Sequence, residues 1–440
     1  MTEIRDRADL ARTDAHELAL ACIEAGISAA DPERAVHEQV AVADGRLRFG
    51  EETVDRYPFK EVIVLGGGKA AAHVARALED VLGDVLDGGL VVTDNPTETD
   101  RVTILPGSHP VPSQAGVEST RRVLDRADQA GADTLVIGVI TGGGSALMTA
   151  PAEGICLEDL RETTRSLLEC GATIHEINAV RKHLSHSKGG QLAETLHPAT
   201  TIGLIVSDVV GNDLDVIASG PLVPDTSTFA DARAVLRRYD LSVPDPVWDR
   251  LERGEAGKLH ETPKPGDGAF ERVHTHILAD NFTALDGARA VVRDRGYDPL
   301  VLSSRIEGAA REAAKTQAGI AAEVRATGNP VEPPAVLISG GETTVTVHGG
   351  GRGGPNQEFV LSAARSLPKG AVVAAVDTDG SDGASEAAGG ILSPSDADVQ
   401  AIRPALDEND AGGYLAERGL EIVTGPTATN VNDLRVLVIE

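Results

Sequence analysis

Residues 62–82 read VIVLGGGKAAAHVARALEDVL. Four aliphatic residues run into Gly66, Gly67, Gly68 and Lys69, and beyond the glycines Val74, Leu78, Val81 and Leu82 recur at helical spacing. The stretch is therefore a strand, a glycine turn and a helix. The same order returns at 90–93 before Asp94, at 135–140 before TGGGS, and at 202–206 before Ser207 and Asp208. Strands that alternate with helices pair in parallel through right-handed crossovers and are covered on both faces.

The first half is thus expected to be α/β, a doubly wound Rossmann-like parallel sheet. From about 242 to 270 the chain turns polar and rich in Pro and Gly, which reads as a connection between domains. Domains are expected at 1–255 and 256–440. In the second, strand signals resume at 276–278, 299–302, 335–338 and 372–376, and Thr343–Val347 (TTVTV) alternates like a hairpin strand. That domain is expected to be α/β with a mixed sheet.

Composition sets limits. The 440 residues carry 68 acidic and 40 Lys or Arg side chains, a formal charge of −28, which argues against binding nucleic acid or an anionic membrane. The acid excess suits a halophilic surface, where salt screens self-repulsion. Hydrophobic residues make up 41%, enough to fill a core in each domain, while 2% aromatics and 48 glycines fit small-residue α/β layers. Three cysteines without metal spacing, a charged N-terminus and no long apolar run point to a cytoplasmic protein without disulfides.

In open α/β sheets ligands bind beyond the C-terminal ends of the strands, and five such ends here carry polar clusters. Gly66, Gly67 and Gly68 would let amides approach a phosphate, with Lys69 as a point charge; a plain tight turn is the alternative. Gly66-x-Gly68-x-x-Ala71 with Asp94 downstream also fits a loose dinucleotide fingerprint. Gly143, Gly144 and Ser145 form a second glycine turn that could hold an anion or merely cap a helix. Asp208 follows its strand at once and could ligate Mg²⁺ or cap a helix, whereas Asp215 and Asp225 read as caps or turn residues. Gly340, Gly341 and Glu342 and the glycine run 349–354 bracket a short strand; Arg352, inside that run, sits in a loop able to fold over a nucleotide or in one without function, and Asn356 would open the next helix. Asp377, Asp379 and Asp382 suggest a metal site or a solvated acidic turn. Arg181, Lys182 and Lys188 cluster in a lysine-poor chain and would meet an anion or neighbouring acids. The histidines show no metal pattern, so His109, His175, His183 and His186 read as structural.

In order, GGGKAA, PGSHPVP, TGGGSALM, INAVRKHLSHSKGGQLA, SDVVGNDLDVIASGPLVPD, SGGETTVTV, GGPNQE, DTDGSDG and GPTATNVNDL resemble the glycerate 2-kinase family with its C-terminal MOFRL domain, over about residues 10–438. The resemblance implies a two-domain kinase that uses ATP and Mg²⁺ to convert D-glycerate to 2-phosphoglycerate. It carries Lys69 and Asp208 over as active-site residues. On that reading Lys69, the glycine loops, Glu342, Arg352 and Asn356 would bind nucleotide phosphates. Asp208, Asp377 and Asp379 would meet the metal, with Asp208 as ligand or base, and Arg181, Lys182 and Ser145 would hold glycerate. A homodimer is the assembly the resemblance allows. In one departure, Pro355 stands where the family usually has an arginine, and Arg352 is the nearest substitute. The competing expectation, from the dinucleotide fingerprint, is an NAD(P)-dependent hydroxypyruvate reductase.

Overall fold

The computed structural model describes residues 3–440, which form two compact units. One is Ala35–Leu278; the other joins the chain up to Arg34 with Ala279–Glu440. The division expected at 255/256 therefore falls at 278/279, and the N-terminal segment belongs with the C-terminal half.

In the first unit, β1 (Val40–Ala43), β2 (Arg46–Phe49) and β3 (Glu52–Asp55) form a small antiparallel sheet. The main sheet contains β4 (Glu61–Gly67), β5 (Gly88–Thr93), β6 (Val102–Pro106), β7 (Thr134–Thr141), β8 (Thr200–Val206) and β9 (Val273–Ala279). Their order is β6-β5-β4-β7-β8-β9, and every pairing from β6 to β8 is parallel. All residues of β7 and β8 are buried, as expected of strands with helices on both faces. The chain steps outward from β4 on one side and from β7 on the other. The order therefore reverses between β4 and β7, where such sheets open a ligand crevice. The signal at 276–278, expected to start the second domain, instead lies in β9 at the edge of this sheet. Beside the sheet, the helices Leu157–Glu169, Ile174–His183, Phe229–Arg238 and Asp245–Glu255 share an apolar cluster that includes Leu167, Val180, Phe229 and Leu251.

In the other unit, β10 (Asp298–Ala309), β11 (Ala335–Thr344), β12 (Val372–Asp377), β13 (Gly389–Leu392), β14 (Glu421–Ile422) and β15 (Asp433–Ile439) are ordered β10-β11-β15-β12-β13-β14. Only β10 and β11 pair in parallel; the other pairings are antiparallel, so the sheet is mixed as expected. The helix Asp14–Ala29 buries Leu18 and Ile23 against Val336, Val436 and Val438 on one face. A side chain at Gly26 would collide with Leu434, so the glycine lets this helix lie close to β15. That packing draws the N-terminus into this unit. The TTVTV segment is no hairpin strand: Thr343 and Thr344 end β11, and residues 345–348 are irregular, with Val347 exposed.

Candidate active site

At the reversal point of the parallel sheet, β4 and β7 approach so closely that side chains are excluded. A Cβ at Gly66 would strike the Val139 carbonyl and one at Gly68 the Thr141 hydroxyl, and both residues have positive φ, 151° and 138°. The next amides are already used inside the protein. Gly68 N–H donates to Val92 O at 3.0 Å, Lys69 N–H to Gly142 O at 2.9 Å, and Ala70 N–H to Thr141 Oγ1 at 3.1 Å. The amides of 68–70 are therefore engaged within the protein, so of the cradle expected from Gly66, Gly67 and Gly68 the last amide is already bonded to Val92 O, and the Lys69 side chain is what this turn presents.

Three side chains gather around the facing turn, Gly142–Gly144. The Asp208 carboxylate, at the end of β8, fills the place a side chain at Gly142 would take. A Cβ at Gly143 would lie 3.0 Å from Lys69 Cγ and 3.1 Å from His109 Cδ2. Burial pushes the Asp208 carboxyl above its ordinary value, opposed by its own backbone N–H and by the Lys69 charge. Burial, then the Lys69 charge, lowers His109, with partial opposition from Asp94. His109, read from sequence as structural, is thus part of the site; its place in PGSHPVP, just after a strand end, was the signal available. His183 is structural, its Nε2 lying 3.0 Å from Glu261 Oε2.

Next to this turn is a cavity of about 210 Å³, whose lining includes His109, Gly143, Ser145, Arg181, Ser185 and Lys188. Leu160 and Leu168 of the helix Leu157–Glu169 add an apolar wall. Ser145 and Ser219 hydroxyls are 2.7 Å apart, and Ser219 donates onward to Asn178 Oδ1 at 2.9 Å. Ser219's one proton is spent there, so Ser145 is the donor to Ser219. Ala218 and Ser219 both sit in the left-handed region, φ 51° and 63°, a cost of order 1 kcal/mol or more each that clusters at functional sites. Ala218 Cβ would be 2.7 Å from a Cβ at Gly144, which keeps that residue glycine.

The three clustered cations part company here. Lys182 is buried and ion-paired with Asp215 and, at 3.3 Å, with Asp225, so it does not line the cavity. Asp225, expected as a cap or turn residue, is wholly buried and also accepts from Thr262 Oγ1 at 2.8 Å and Ser227 Oγ at 2.8 Å. Burial works to raise Asp225, but Lys182 and these hydrogen bonds hold it below its ordinary value. Arg181 and Lys188 face the cavity. Burial lowers the affinity of both for protons, and Lys188, next to the Arg181 charge, is pushed down to about 7.

The mixed-sheet unit arranges its polar residues differently. Gly340 and Gly341 lie inside β11, paired with Leu434 and Asp433, so they form no free loop. Asn356 is fully buried, its side-chain amide donating to Asp433 Oδ1 at 2.6 Å and Asp382 Oδ1 at 3.2 Å. Asp382 accepts the Asn356 and Gln357 amides at the start of the helix Pro355–Ala364. Asp433 is ion-paired with Arg435, which is also buried and donates to Thr343 Oγ1 at 2.8 Å. Burial pushes Asp382 up to about 7 and Asp377 well above its ordinary range, the latter also because of Asp379. Asp377 and Asp379 are held in a turn, accepting from the amides of Asp379 and Ser381 at 3.0 and 2.9 Å. Among the described residues no group of three or more His, Cys, Asp or Glu side chains is placed to hold a metal ion. Glu342 is exposed, and exposed Arg352 lies 3.9 Å from Glu421. Among the described residues no helix is long and apolar enough to cross a membrane.

Residues 18–252 match the model of a domain of unknown function, DUF4147, and residues 335–433 match the MOFRL family. A glycerate 2-kinase of Pyrococcus horikoshii is 40% identical over 97% of this chain and 98% of its own. A candidate hydroxypyruvate reductase of Agrobacterium vitis is also 40% identical, over 91% of this chain and 92% of its own. The crystal structure of a glycerate kinase of Thermotoga maritima superimposes with a TM-score of 0.85 at 37% identity, covering 96% of this chain and 99% of that one.

Proposed function

This chain belongs to the glycerate 2-kinase family with a MOFRL domain, and from that premise we propose which of its residues carry the reaction, with ATP and Mg²⁺ as its partners. The enzyme is a glycerate 2-kinase, placing a phosphoryl group on the 2-hydroxyl of glycerate. Phosphoryl transfer asks a protein for alignment and charge neutralisation more than for covalent chemistry. The observation that carries the assignment of residues is the meeting of Lys69 and Asp208 at the Gly142–Gly143 turn, next to a small cavity with Arg181 on its wall.

A cavity of about 210 Å³ suits a three-carbon hydroxy acid. Arg181 would hold the carboxylate, its planar fork matching two carboxylate oxygens. Ser145 would orient the hydroxyl end, with Leu160 and Leu168 as the apolar part of the lining. Asp208 would take the proton of the 2-hydroxyl. Its burial raises its basicity, which suits a carboxylate that must accept a proton. Lys69 would pair with phosphate oxygens as charge builds there. Magnesium nucleotide supplies the transferable phosphoryl group and shields its charge. Mg²⁺ is commonly held by one or two carboxylates plus substrate phosphates, so Asp208 would be the carboxylate at this turn to meet it if the metal, and not the 2-hydroxyl proton, is its partner.

Incubation with ATP, Mg²⁺ and D-glycerate in concentrated salt, followed by phosphorus NMR, should give 2-phosphoglycerate. Formation of the 3-isomer, or of no phosphorylated acid, would overturn the reading. The reductase alternative rests on the Gly66, Gly68 and Ala71 fingerprint and the Agrobacterium relative. Loss of nicotinamide absorbance on mixing with NADH and hydroxypyruvate would favour it instead.

A further inference from the structure

We infer that Lys188 is a specificity residue that joins Arg181 in a two-cation seat for the substrate carboxylate, and that it gains its charge as the anion enters. The inference rests on the cavity being the glycerate site. Both side chains line that cavity, and Lys188 is nearly wholly buried. Lys188 Nζ donates to Met148 O at 3.0 Å, an acceptor on one side only, which leaves the remaining valences of the amine toward the cavity side chains.

The surroundings explain why the seat is incomplete without a ligand. The helix Ile174–His183 contributes Arg181, whose proton affinity burial lowers, and the neighbouring cation Lys182 is engaged by Asp215 and Asp225. The turn after β6 contributes His109, and the short helix Gly144–Leu147 contributes Ser145. The helix Leu157–Glu169 faces the cavity with Leu160, Thr164 and Leu168, none of them titratable. Lys188's own segment adds Ser185 and Ser187. No carboxylate is paired with Arg181 or Lys188 among the described residues. Burial first, and then the like charge of Arg181, push Lys188 down to about 7, so Lys188 is the cation that yields. A carboxylate between them supplies the missing negative charge and restores the ammonium form.

The linkage has a definite sign. Lys188 in the free enzyme loses its proton as pH rises through about 7, while in the complex it keeps it; binding above that pH therefore takes up a proton. Affinity for glycerate should be flat below pH 7 and fall about tenfold from pH 6 to pH 8. His109 is shifted in the same direction as Lys188, lowered by burial and then by the Lys69 charge, with partial opposition from Asp94.

Calorimetry of D-glycerate binding to the full-length enzyme without nucleotide, in two buffers of different ionisation heat at pH 8, reads the uptake directly. Close to one proton per glycerate is expected, falling to near zero at pH 6. Lys188→Met should bind about tenfold more weakly at pH 6 and show neither uptake nor the loss of affinity between pH 6 and 8. Glycerate binding to the unaltered enzyme with no proton uptake at pH 8 would sink the inference while leaving the cavity as the glycerate site. Failure to bind glycerate at any pH would remove the cavity assignment itself. The first measurement needs no variant, so poor folding of Lys188→Met cannot obscure it.

Discussion

Arg435 in the mixed-sheet unit and Arg181 in the parallel-sheet unit are both cations inside the protein, yet they have opposite company. Arg435 is fully buried against Asp433, with Thr343 and Gly340 O as further acceptors. Arg181 shares a cavity wall with another base and no acid. A buried charge must find compensation somewhere. Where the fold supplies it, as at Arg435, the group holds strands and a helix start together. Where the fold withholds it, an anion from outside is the remaining source. Burial of a charged side chain thus says little about function until its partners are counted.

The sharpest way to break this contrast is at Lys69. Lys69→Ala should lower turnover by about 10² to 10⁴-fold if its charge aligns and stabilises the phosphoryl group, measured as phosphoglycerate formed per enzyme. Turnover close to that of the unaltered enzyme would remove Lys69 from the mechanism. Next in size is Lys182→Met, which strands Asp215 and Asp225 without their cation. A loss of about 3–5 kcal/mol in folding stability is expected from denaturant titration. Arg181→Ala, one residue away, should behave in the reverse manner. Its folding midpoint should hardly move or rise, while KM for glycerate increases about 10 to 100-fold, the worth of charged hydrogen bonds to a carboxylate. If the two variants exchanged these phenotypes, the assignment of partnered and unpartnered cations would be wrong.

The smallest effect concerns Asp382. In the folded protein it keeps its proton up to about pH 7, whereas in the unfolded chain it loses it near the ordinary carboxylate value. The folded state therefore holds the extra proton between those limits, so its contribution to stability is full at low pH and declines as pH rises to about 7. Comparing unfolding free energies at pH 6 and pH 7.5 should show Asp382→Asn with a flatter pH dependence than the unaltered protein, by about 1–2 kcal/mol. Identical slopes would mean that the amides of Asn356 and Gln357 keep Asp382 ionised.

Much of the parallel sheet was readable because aliphatic runs ending in glycine or an acid are local signals. β4, β5, β7 and β8 lie where 62–65, 90–93, 135–140 and 202–206 pointed. The small β1–β3 sheet and β13 were not expected, being short and without a buried aliphatic run; β13 is Gly389–Leu392, half of it glycine. Among site residues, Lys69, Asp208, Ser145 and Arg181 meet around the Gly142–Gly144 turn or the cavity beside it. Gly66 and Gly68 stand out in the sequence as special positions, and in the structure their missing side chains admit β7.

The amino-acid order alone determined the alternation of strands and helices, the turns at which chemistry is concentrated, and the order of motifs that marks the family. Those are properties of neighbours in the chain, set by side-chain periodicity and the steric freedom of glycine. Only the folded structure decided that the helix Asp14–Ala29 joins the mixed sheet, that Lys182 is neutralised while Arg181 and Lys188 are not, and that His109 stands beside Lys69. Lys182 meets its acids across 33 and 43 residues of chain. Charge compensation depends on distance in space, and local pattern carries no record of that distance.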